Sequence, residues 1–185
     1  MKLRRILDMK TYRIVAIDGG TTQSAYVVLR PQIPQICDYG ILDNESMLER
    51  LKALRSETGS SQGLSDQFVV EQIKSYGNPI GDSLLHTCVW NGRFIEAWIG
   101  ESDRTYTFLP RKTVVTELCG SPKAKDSNVR QALIDYYADR TGEKAHRIAR
   151  KGGMLHGIKK DIWSALAIAT AHYAYLDRQL KTLLD

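Results

Sequence analysis

The chain has 185 residues, the length of one ordinary domain, and its 43% hydrophobic and 25% charged residues exclude a disordered protein. No apolar run approaches the ~20 residues that a membrane span needs, so no membrane partner is expected. The formal net charge of +5 favours an anionic partner, of which nucleic acid is the commonest, with a basic protein lacking such a partner as the alternative.

Three strands and a helix are predicted in the first third of the chain. Residues 1–11 are basic and lack the apolar core of a signal peptide, so we expect a loosely ordered extension. The predicted strands lie near residues 12–17, 24–29 and 36–42. Asn44 is then expected to cap a helix that carries Leu48, Leu51 and Leu54 at helical spacing.

Helices and strands alternate in the rest of the chain. Glycine and serine predict a flexible break at residues 59–63, and a short buried strand over residues 68–70 runs straight into Glu71. Two further strands, separated by Pro110, are predicted over residues 105–109 and 114–118. The predicted helices cover residues 82–99, 126–140 and 161–184. The basic, glycine-containing stretch 141–160 is predicted to be a mobile loop. This order of elements predicts an α/β fold, a mixed β-sheet flanked by helices.

The three cysteines, Cys37, Cys88 and Cys119, are widely spaced, and the chain has no CxxC pair. Each lies in an apolar stretch, which predicts buried free thiols in a reducing compartment and therefore a cytoplasmic protein. A zinc site is not expected.

The segment around Asp18 is the most informative in the chain. An apolar strand ends in this carboxylate, turns through Gly19 and Gly20, and is followed by a second apolar strand. A carboxylate at the tip of a rigid strand beside a polar turn suits a divalent metal, or the phosphate that the metal carries. Two chemistries use such a hairpin: phosphoryl transfer from ATP and cleavage of a nucleic-acid backbone.

Two more carboxylates occupy comparable positions. Glu71 ends an internal apolar strand, and Asp161 opens an apolar helix. Taken singly, Asp18 or Glu71 reads as a polar boundary residue and Asp161 as a helix cap. Together they suit a metal site, because clustered carboxylates stay ionised at low cost only when cations lie among them. Two Mg²⁺ ions about 3.5–4 Å apart would serve hydrolysis of a phosphodiester.

With these three carboxylate motifs in this order, the sequence resembles the RuvC Holliday junction resolvases, and more closely the RuvC-like proteins of bacteriophages. The resemblance extends over residues 12–175 and rests on the order and spacing of its motifs. Three of them carry the carboxylates and lie at residues 17–20, 70–72 and 161–169. Two others, at residues 87–98 and 119–133, are similar to segments of the phage proteins.

The resemblance implies an RNase H-like nuclease domain over residues 12–185, a homodimer, and nicking of branched DNA that depends on Mg²⁺, with Mn²⁺ as a substitute. A phage-encoded protein would act in the cytoplasm of its bacterial host. By motif position, Asp18, Glu71 and Asp161 would be catalytic metal ligands. The family usually offers a second acidic or histidine position three residues after the first on its last helix, and here Ser164 occupies it. Either three carboxylates suffice, or another residue such as His156 supplies the fourth ligand.

Several basic residues are candidates for holding DNA. Lys123 and Lys125 precede a predicted helix, where free N–H groups favour phosphate, although a solvated surface loop explains them equally well. Lys159 and Lys160 directly precede Asp161, and Lys74 follows Glu71 by three residues. Further basic residues, Arg147, Arg150 and Lys151, surround a glycine pair and could clamp a phosphate backbone.

Two other functions remain as alternatives to a structure-selective endonuclease. Residues 18–22 also resemble the first phosphate loop of actin-like ATP-dependent phosphotransferases, but that fold needs two such domains and 185 residues provide one. A protein that binds junctions without cleaving them is the third hypothesis, and Ser164 favours it.

Overall fold

The computed structural model describes residues 12–59, 65–75, 77, 79–101 and 104–184. The predicted extension over residues 1–11 and most of the predicted break at 59–63 lie outside these ranges. The described strands are β1 (Tyr12–Asp18), β2 (Gln23–Arg30), β3 (Gln35–Asp43), β4 (Ser65–Gln72) and β5 (Tyr106–Pro110). They form one sheet in the order β3-β2-β1-β4-β5. β1, β2 and β3 pair antiparallel, whereas β1, β4 and β5 pair parallel, so the predicted mixed sheet is confirmed.

Helices cover both faces of this sheet. They are α1 (Asn44–Gly59), α2 (Asp82–Ile99), α3 (Arg111–Cys119), α4 (Asp126–Thr141), α5 (Ala145–Ile148) and α6 (Ile162–Leu184). Side chains alternate along a strand, so β1 contributes to two cores. Ile14 and Ala16 pack with residues of α3 to α6, and Val15 and Ile17 pack with residues of α1 and α2.

The register between β1 and β4 places the two strand-end carboxylates side by side. Ile17 pairs with Val70, so Asp18 and Glu71, each one residue further on, are neighbours across the parallel ladder. Asp18 is two residues from Ala16 and therefore projects to the face that α6 covers. The sheet thus directs both carboxylates toward the side of the molecule where α6 begins.

The prediction of a strand over residues 114–118 is wrong, because this segment lies in helix α3. Val114 and Val115 are β-branched, which favours a strand, but both are buried in the core that α6 forms. The helix begins after Pro110, whose backbone is extended. It ends at Gly120, which has φ 69° and donates its N–H to the Thr116 carbonyl. Tertiary burial outweighs local propensity here.

Residues 141–160 are not the mobile loop that their composition predicts. They contain α5 and a series of turns, and Ile148, Leu155 and Ile158 are buried in the core. The Leu155 N–H donates to the Ile148 carbonyl at 2.9 Å. The segment is therefore held in place by three apolar anchors.

The thiols are free, as predicted, but the prediction that all three are buried is wrong. Cys37 and Cys88 are exposed and Cys119 is half-buried. None of the described helices combines the length and the apolarity that crossing a membrane requires.

Acid should destabilise the protein through His172. This α6 residue is 3% exposed, and within the described residues neither ring nitrogen has a hydrogen-bond partner. Burial lowers its pKa to about 4. Below about pH 6.5 the His172 ring binds a proton in the unfolded chain, but in the folded protein it stays neutral until the pH falls to about 4. The free energy of unfolding should therefore fall by about 2 kcal/mol by about pH 5.

Urea unfolding of wild type and His172→Leu as a function of pH measures this effect. The variant should lose less stability on acidification than wild type. His86→Gln, at an exposed histidine of α2, should retain the wild-type pH dependence. Equal acid sensitivity of wild type and His172→Leu would contradict the prediction.

Candidate active site

The turn after β1 is fixed by a network centred on Asn44. The Asn44 side-chain amide donates to the Gly20 carbonyl at 3.0 Å, and its Oδ1 accepts from the Ser24 hydroxyl at 2.7 Å. That hydroxyl accepts the Gly20 N–H at 3.1 Å. The prediction that Asn44 caps α1 is wrong, because Asp43 accepts the Ser46 N–H at 2.9 Å and Asn44 is 2% exposed. Asn44 instead stiffens the hairpin that carries Asp18.

A second buried asparagine ties helix α2 to both carboxylate-bearing segments. The Asn91 side-chain amide donates to the Glu71 carbonyl at 3.3 Å. A Cβ on Gly19 would lie 2.0 Å from Asn91 Oδ1, so only glycine fits beside it. Sequence reasoning missed Asn91, although it stands at helical spacing with buried Thr87, Phe94 and Trp98 and is a polar residue on that face.

Asp18 and Glu71 form an acidic pair. The pKa of Asp18 is raised to about 8, first by burial, then by the charge of Glu71 and a hydrogen bond to it, and further by the charge of Asp161. Arg111 acts in the opposite direction. In the absence of a cation the neutral form of Asp18, hydrogen-bonded to Glu71, is therefore favoured.

Asp161 lies near this pair but is not packed against it. It is exposed, directly precedes α6, and its carbonyl accepts the Ala165 N–H at 3.1 Å. Within the described residues, no three Asp, Glu, His or Cys side chains are grouped closely enough to hold one metal ion. The structure thus brings two of the three predicted ligands together. The third, Asp161, is close enough for its charge to raise the pKa of Asp18 but is not grouped with the pair.

The donor set still fits a hard divalent cation. Carboxylate oxygens are the ligands that Mg²⁺ prefers, and a cation at Asp18 and Glu71 would take the place of the Asp18 proton and relieve the repulsion between the two carboxylates. His156, the alternative fourth ligand, is exposed, and its backbone carbonyl accepts the Tyr39 hydroxyl at 3.2 Å.

A cleft of about 470 Å³, here called the first cleft, opens beside Asp161. Asp161 and Ser164 line it, together with the predicted DNA-binding residues Lys159 and Lys160. The remaining lining residues come from α3, α4, the approach to α6 and its first turn: Arg111, Asp126, Ser127, Val129, Arg130, Ile158 and Trp163. Four cationic and two anionic side chains leave the cleft with a net charge of two positives. Its net positive charge favours an anionic ligand.

Two arginines of the first cleft were not predicted from the sequence. Arg111 forms an ion pair with Asp126, and Arg130 lies over the Trp163 ring, with its guanidinium carbon 4.8 Å from the ring centre. Arg111 directly follows β5, which is parallel to β4, so it emerges at the same sheet edge as Glu71. The wrong prediction of a strand over residues 114–118 placed Arg111 in a short connection between two strands instead of at the start of a helix.

The other predicted DNA-binding lysines lie outside the lining of the first cleft. Lys123 is exposed in the turn before α4. Lys125, also exposed, donates its backbone N–H to Asn128 Oδ1 at 3.0 Å. Lys74 is exposed, two residues beyond the end of β4. The structure brings only Lys159 and Lys160 to the cleft.

Comparison with known proteins identifies the fold. No family model matches the sequence, and no curated protein does. A Thermus thermophilus RuvC structure matches with a TM-score of 0.58 and 16% identity, covering 91% of this chain and 97% of that one. T. thermophilus RuvC in complex with a Holliday junction substrate matches with a TM-score of 0.60 and 13% identity, covering 91% and 96%. The chain therefore has the RuvC fold, and the predicted RNase H-like mixed sheet is confirmed.

Proposed function

We propose that this chain, folded as the RuvC proteins are, is a metal-dependent endonuclease that resolves branched DNA, Holliday junctions and forks, by phosphodiester hydrolysis. Residues 12–185 form its nuclease domain in this proposal. The observation that carries it is the acidic pair of Asp18 and Glu71 at one sheet edge, close to Asp161 and the basic first cleft. One of the structural matches, T. thermophilus RuvC, is in complex with a Holliday junction substrate, which supports branched DNA as the partner.

In this proposal Asp18 and Glu71 hold Mg²⁺, or Mn²⁺ in its place, and Asp161 completes the set. Bound there, the cation supplies positive charge that lowers the pKa of a water molecule and stabilises the leaving oxygen. Burial and the charge of Glu71 raise the pKa of Asp18, and a cation held there would favour its ionised form, so that Asp18 would release its proton.

The first cleft positions the DNA. Arg111, Arg130, Lys159 and Lys160 offset the charge of the phosphates that approach Asp161. The Ser164 hydroxyl, at the position where the family usually has an acidic residue or histidine, can hold a water molecule but adds no charge. We propose that Lys74, Lys123 and Lys125 contact phosphates further along the DNA.

The two alternatives differ in what they require of the protein. An actin-like phosphotransferase clamps its nucleotide between two domains, whereas this chain aligns over 91% of its length with a RuvC chain that it covers almost completely. A junction-binding protein without activity would keep the basic cleft and fail to cleave, and Ser164 is the feature in its favour.

Incubation of the protein with a labelled four-way junction, a Y-fork and a plain duplex in Mg²⁺ or Mn²⁺ tests the proposal. We expect cleavage of a branched substrate, no cleavage of the duplex, and loss of activity when the metal is chelated. Junction binding without cleavage would favour the inactive protein. ATP hydrolysis without DNA would favour the phosphotransferase.

We further propose that the protein is a homodimer through the outer face of α2, so that two active sites reach two strands of a junction. Leu85 and Val89, one helical turn apart on α2, are 52% and 61% exposed. Ile80, just before the helix, is 52% exposed. Large apolar side chains clustered on one surface are typical of an interface.

Light scattering after gel filtration should show a mass of about twice the 20.9 kDa of one chain. Leu85→Asp combined with Val89→Asp should give the monomer, because two charges cannot be buried unpaired in the interface. Ile33→Asp, at a comparably exposed residue of the β2–β3 turn, should leave the dimer intact. A wild-type monomer at micromolar concentration would contradict this part of the proposal.

As a nuclease of branched DNA, the protein would act in the cytoplasm, that of a bacterial host if a phage encodes it.

A further inference from the structure

A second basic cleft, of about 440 Å³, lies between the end of α4 and the turns after α5. It is called the second cleft and is lined by Gly142, Glu143, Lys144, Arg147, Arg150, Lys151, Gly152 and Gly153. Four cations and one carboxylate give it a net charge of three positives. None of its lining residues belongs to the first cleft.

The positive charge of the second cleft is not neutralised by the protein. Its four cationic side chains are exposed, and none forms an ion pair within the described residues. The one carboxylate, that of Glu143, is half-buried and accepts the Met154 N–H at 3.3 Å. Four like charges around one concavity repel one another, and an anion placed among them relieves that repulsion.

The second cleft has a fixed shape. Ile148 and Leu155, on either side of its glycines, are fully buried. Gly152 has φ +89°, a conformation that favours glycine, and a Cβ on Gly153 would lie 2.2 Å from the Ile148 carbonyl oxygen. The turn therefore packs directly on α5, and its cations are presented by a framework with little freedom to lose on binding.

The first and second clefts lie at opposite ends of helix α4. Residues Asp126 to Arg130, at the start of α4, line the first cleft, whereas Gly142, just past its end, begins the second. α4 has 16 residues, so the two clefts are separated by about 24 Å at 1.5 Å per residue. Phosphates of one strand recur every ~3.4 Å along the duplex axis, so this distance corresponds to about seven base pairs.

We propose that the second cleft is a binding site for backbone phosphates of a DNA duplex arm, about seven base pairs from the phosphate in the first cleft. This inference rests on the proposed function, because it assigns the second cleft to the same branched substrate. It makes affinity depend on arm length: an arm too short to reach the second cleft gains nothing from its four cations.

Binding of two four-way junctions in the presence of EDTA, which prevents cleavage, tests the proposal. One junction has arms of about 15 base pairs, and the other has loop-closed arms of about 5, too short to span the ~24 Å between the clefts. Arg147→Ala combined with Lys151→Ala removes two cations of the second cleft. Lys52→Ala combined with Lys181→Ala removes two cations from α1 and α6, each of which is ion-paired on its own helix.

On long arms, the Arg147→Ala/Lys151→Ala variant should bind about tenfold more weakly than wild type and have a salt dependence shallower by about 1–2. On short arms it should bind as wild type does, and the control variant should match wild type on both. Equal loss on long and short arms, or equal loss in the control, would show a general charge effect and overturn the inference.

Two further outcomes are separable. Wild type that binds neither junction would overturn the proposed function itself. Wild type that binds both junctions with affinities matched by the Arg147→Ala/Lys151→Ala variant would overturn only the role of the second cleft. Thermal unfolding of each variant verifies that the comparison is between folded proteins.

Discussion

Asp18→Asn should abolish junction cleavage while leaving the protein folded and its junction affinity within about twofold of wild type. The loss should be at least about 1,000-fold, equivalent to about 4 kcal/mol of barrier, because the variant removes the carboxylate that is hydrogen-bonded to Glu71 and is proposed to hold the metal. Single-turnover cleavage of a labelled four-way junction in Mg²⁺ measures the loss, and binding in EDTA measures the affinity.

The raised pKa of Asp18 explains why this variant should fold. At about 8, it keeps the neutral form predominant at pH 7 when no cation is present. The asparagine amide has nearly the shape of that neutral carboxyl, so we expect the free energy of unfolding to change by less than about 1 kcal/mol.

Asp139→Asn is the matched control for Asp18→Asn, because Asp139 is exposed on α4 and lines neither cleft. It should cleave at the wild-type rate. Retention of cleavage by Asp18→Asn would refute the proposed site, and equal loss in both variants would show that the assay responds to net charge rather than to the acidic pair.

The parts of the site that follow from strand patterns were predictable, and those that depend on packing were not. Asp18 and Glu71 each end an apolar strand, which a local pattern reveals, but that β1 and β4 are neighbours depends on sheet topology. The resemblance to RuvC implied that the two carboxylates bind metal together, and the β1–β4 register places them side by side.

Asn44 and Asn91 illustrate the limit of local reasoning. Their amides bind carbonyls 24 and 20 residues away in the sequence, so neither partner lies within the window in which a helix or turn pattern is read. Arg111 was not predicted as a site residue for a related reason. The Val114–Val115 pair favours a strand locally, and only its burial against α6 makes the segment a helix.

Asp161 and Ser164 leave a specific asymmetry in the site. The acidic pair at the sheet edge is tightly positioned by Asn44, Asn91 and the β1–β4 register, whereas Asp161 is an exposed residue at the start of α6. The rigid side of the site is therefore the sheet side, and disturbing its packing should cost more activity than disturbing the first cleft.

Gly19→Ala tests that rigidity and should reduce cleavage by about 10- to 100-fold while costing about 1–3 kcal/mol of stability. The added Cβ would lie 2.0 Å from Asn91 Oδ1, so either the hairpin that carries Asp18 or the terminal amide of Asn91 must shift. Single-turnover cleavage and urea unfolding report the two effects. Gly92→Ala is the control: it adds a methyl to the neighbouring position of α2, where nothing in the chain lies within 4 Å, and gel filtration verifies that it keeps the proposed dimer.

A double-mutant cycle assigns the cost of Gly19→Ala to this contact. Asn91→Ala removes the atom that the new Cβ would strike, so Gly19→Ala combined with Asn91→Ala should be more stable than the sum of the single variants predicts, by about 1 kcal/mol or more. Cleavage should recover only in part, because the hydrogen bond from Asn91 to the Glu71 carbonyl is lost with the side chain. Gly92→Ala should be neutral or slightly stabilising, since alanine is the better helix former. Additive effects of Gly19→Ala and Asn91→Ala would contradict a direct contact, and full activity of Gly19→Ala would show that the hairpin position does not limit cleavage.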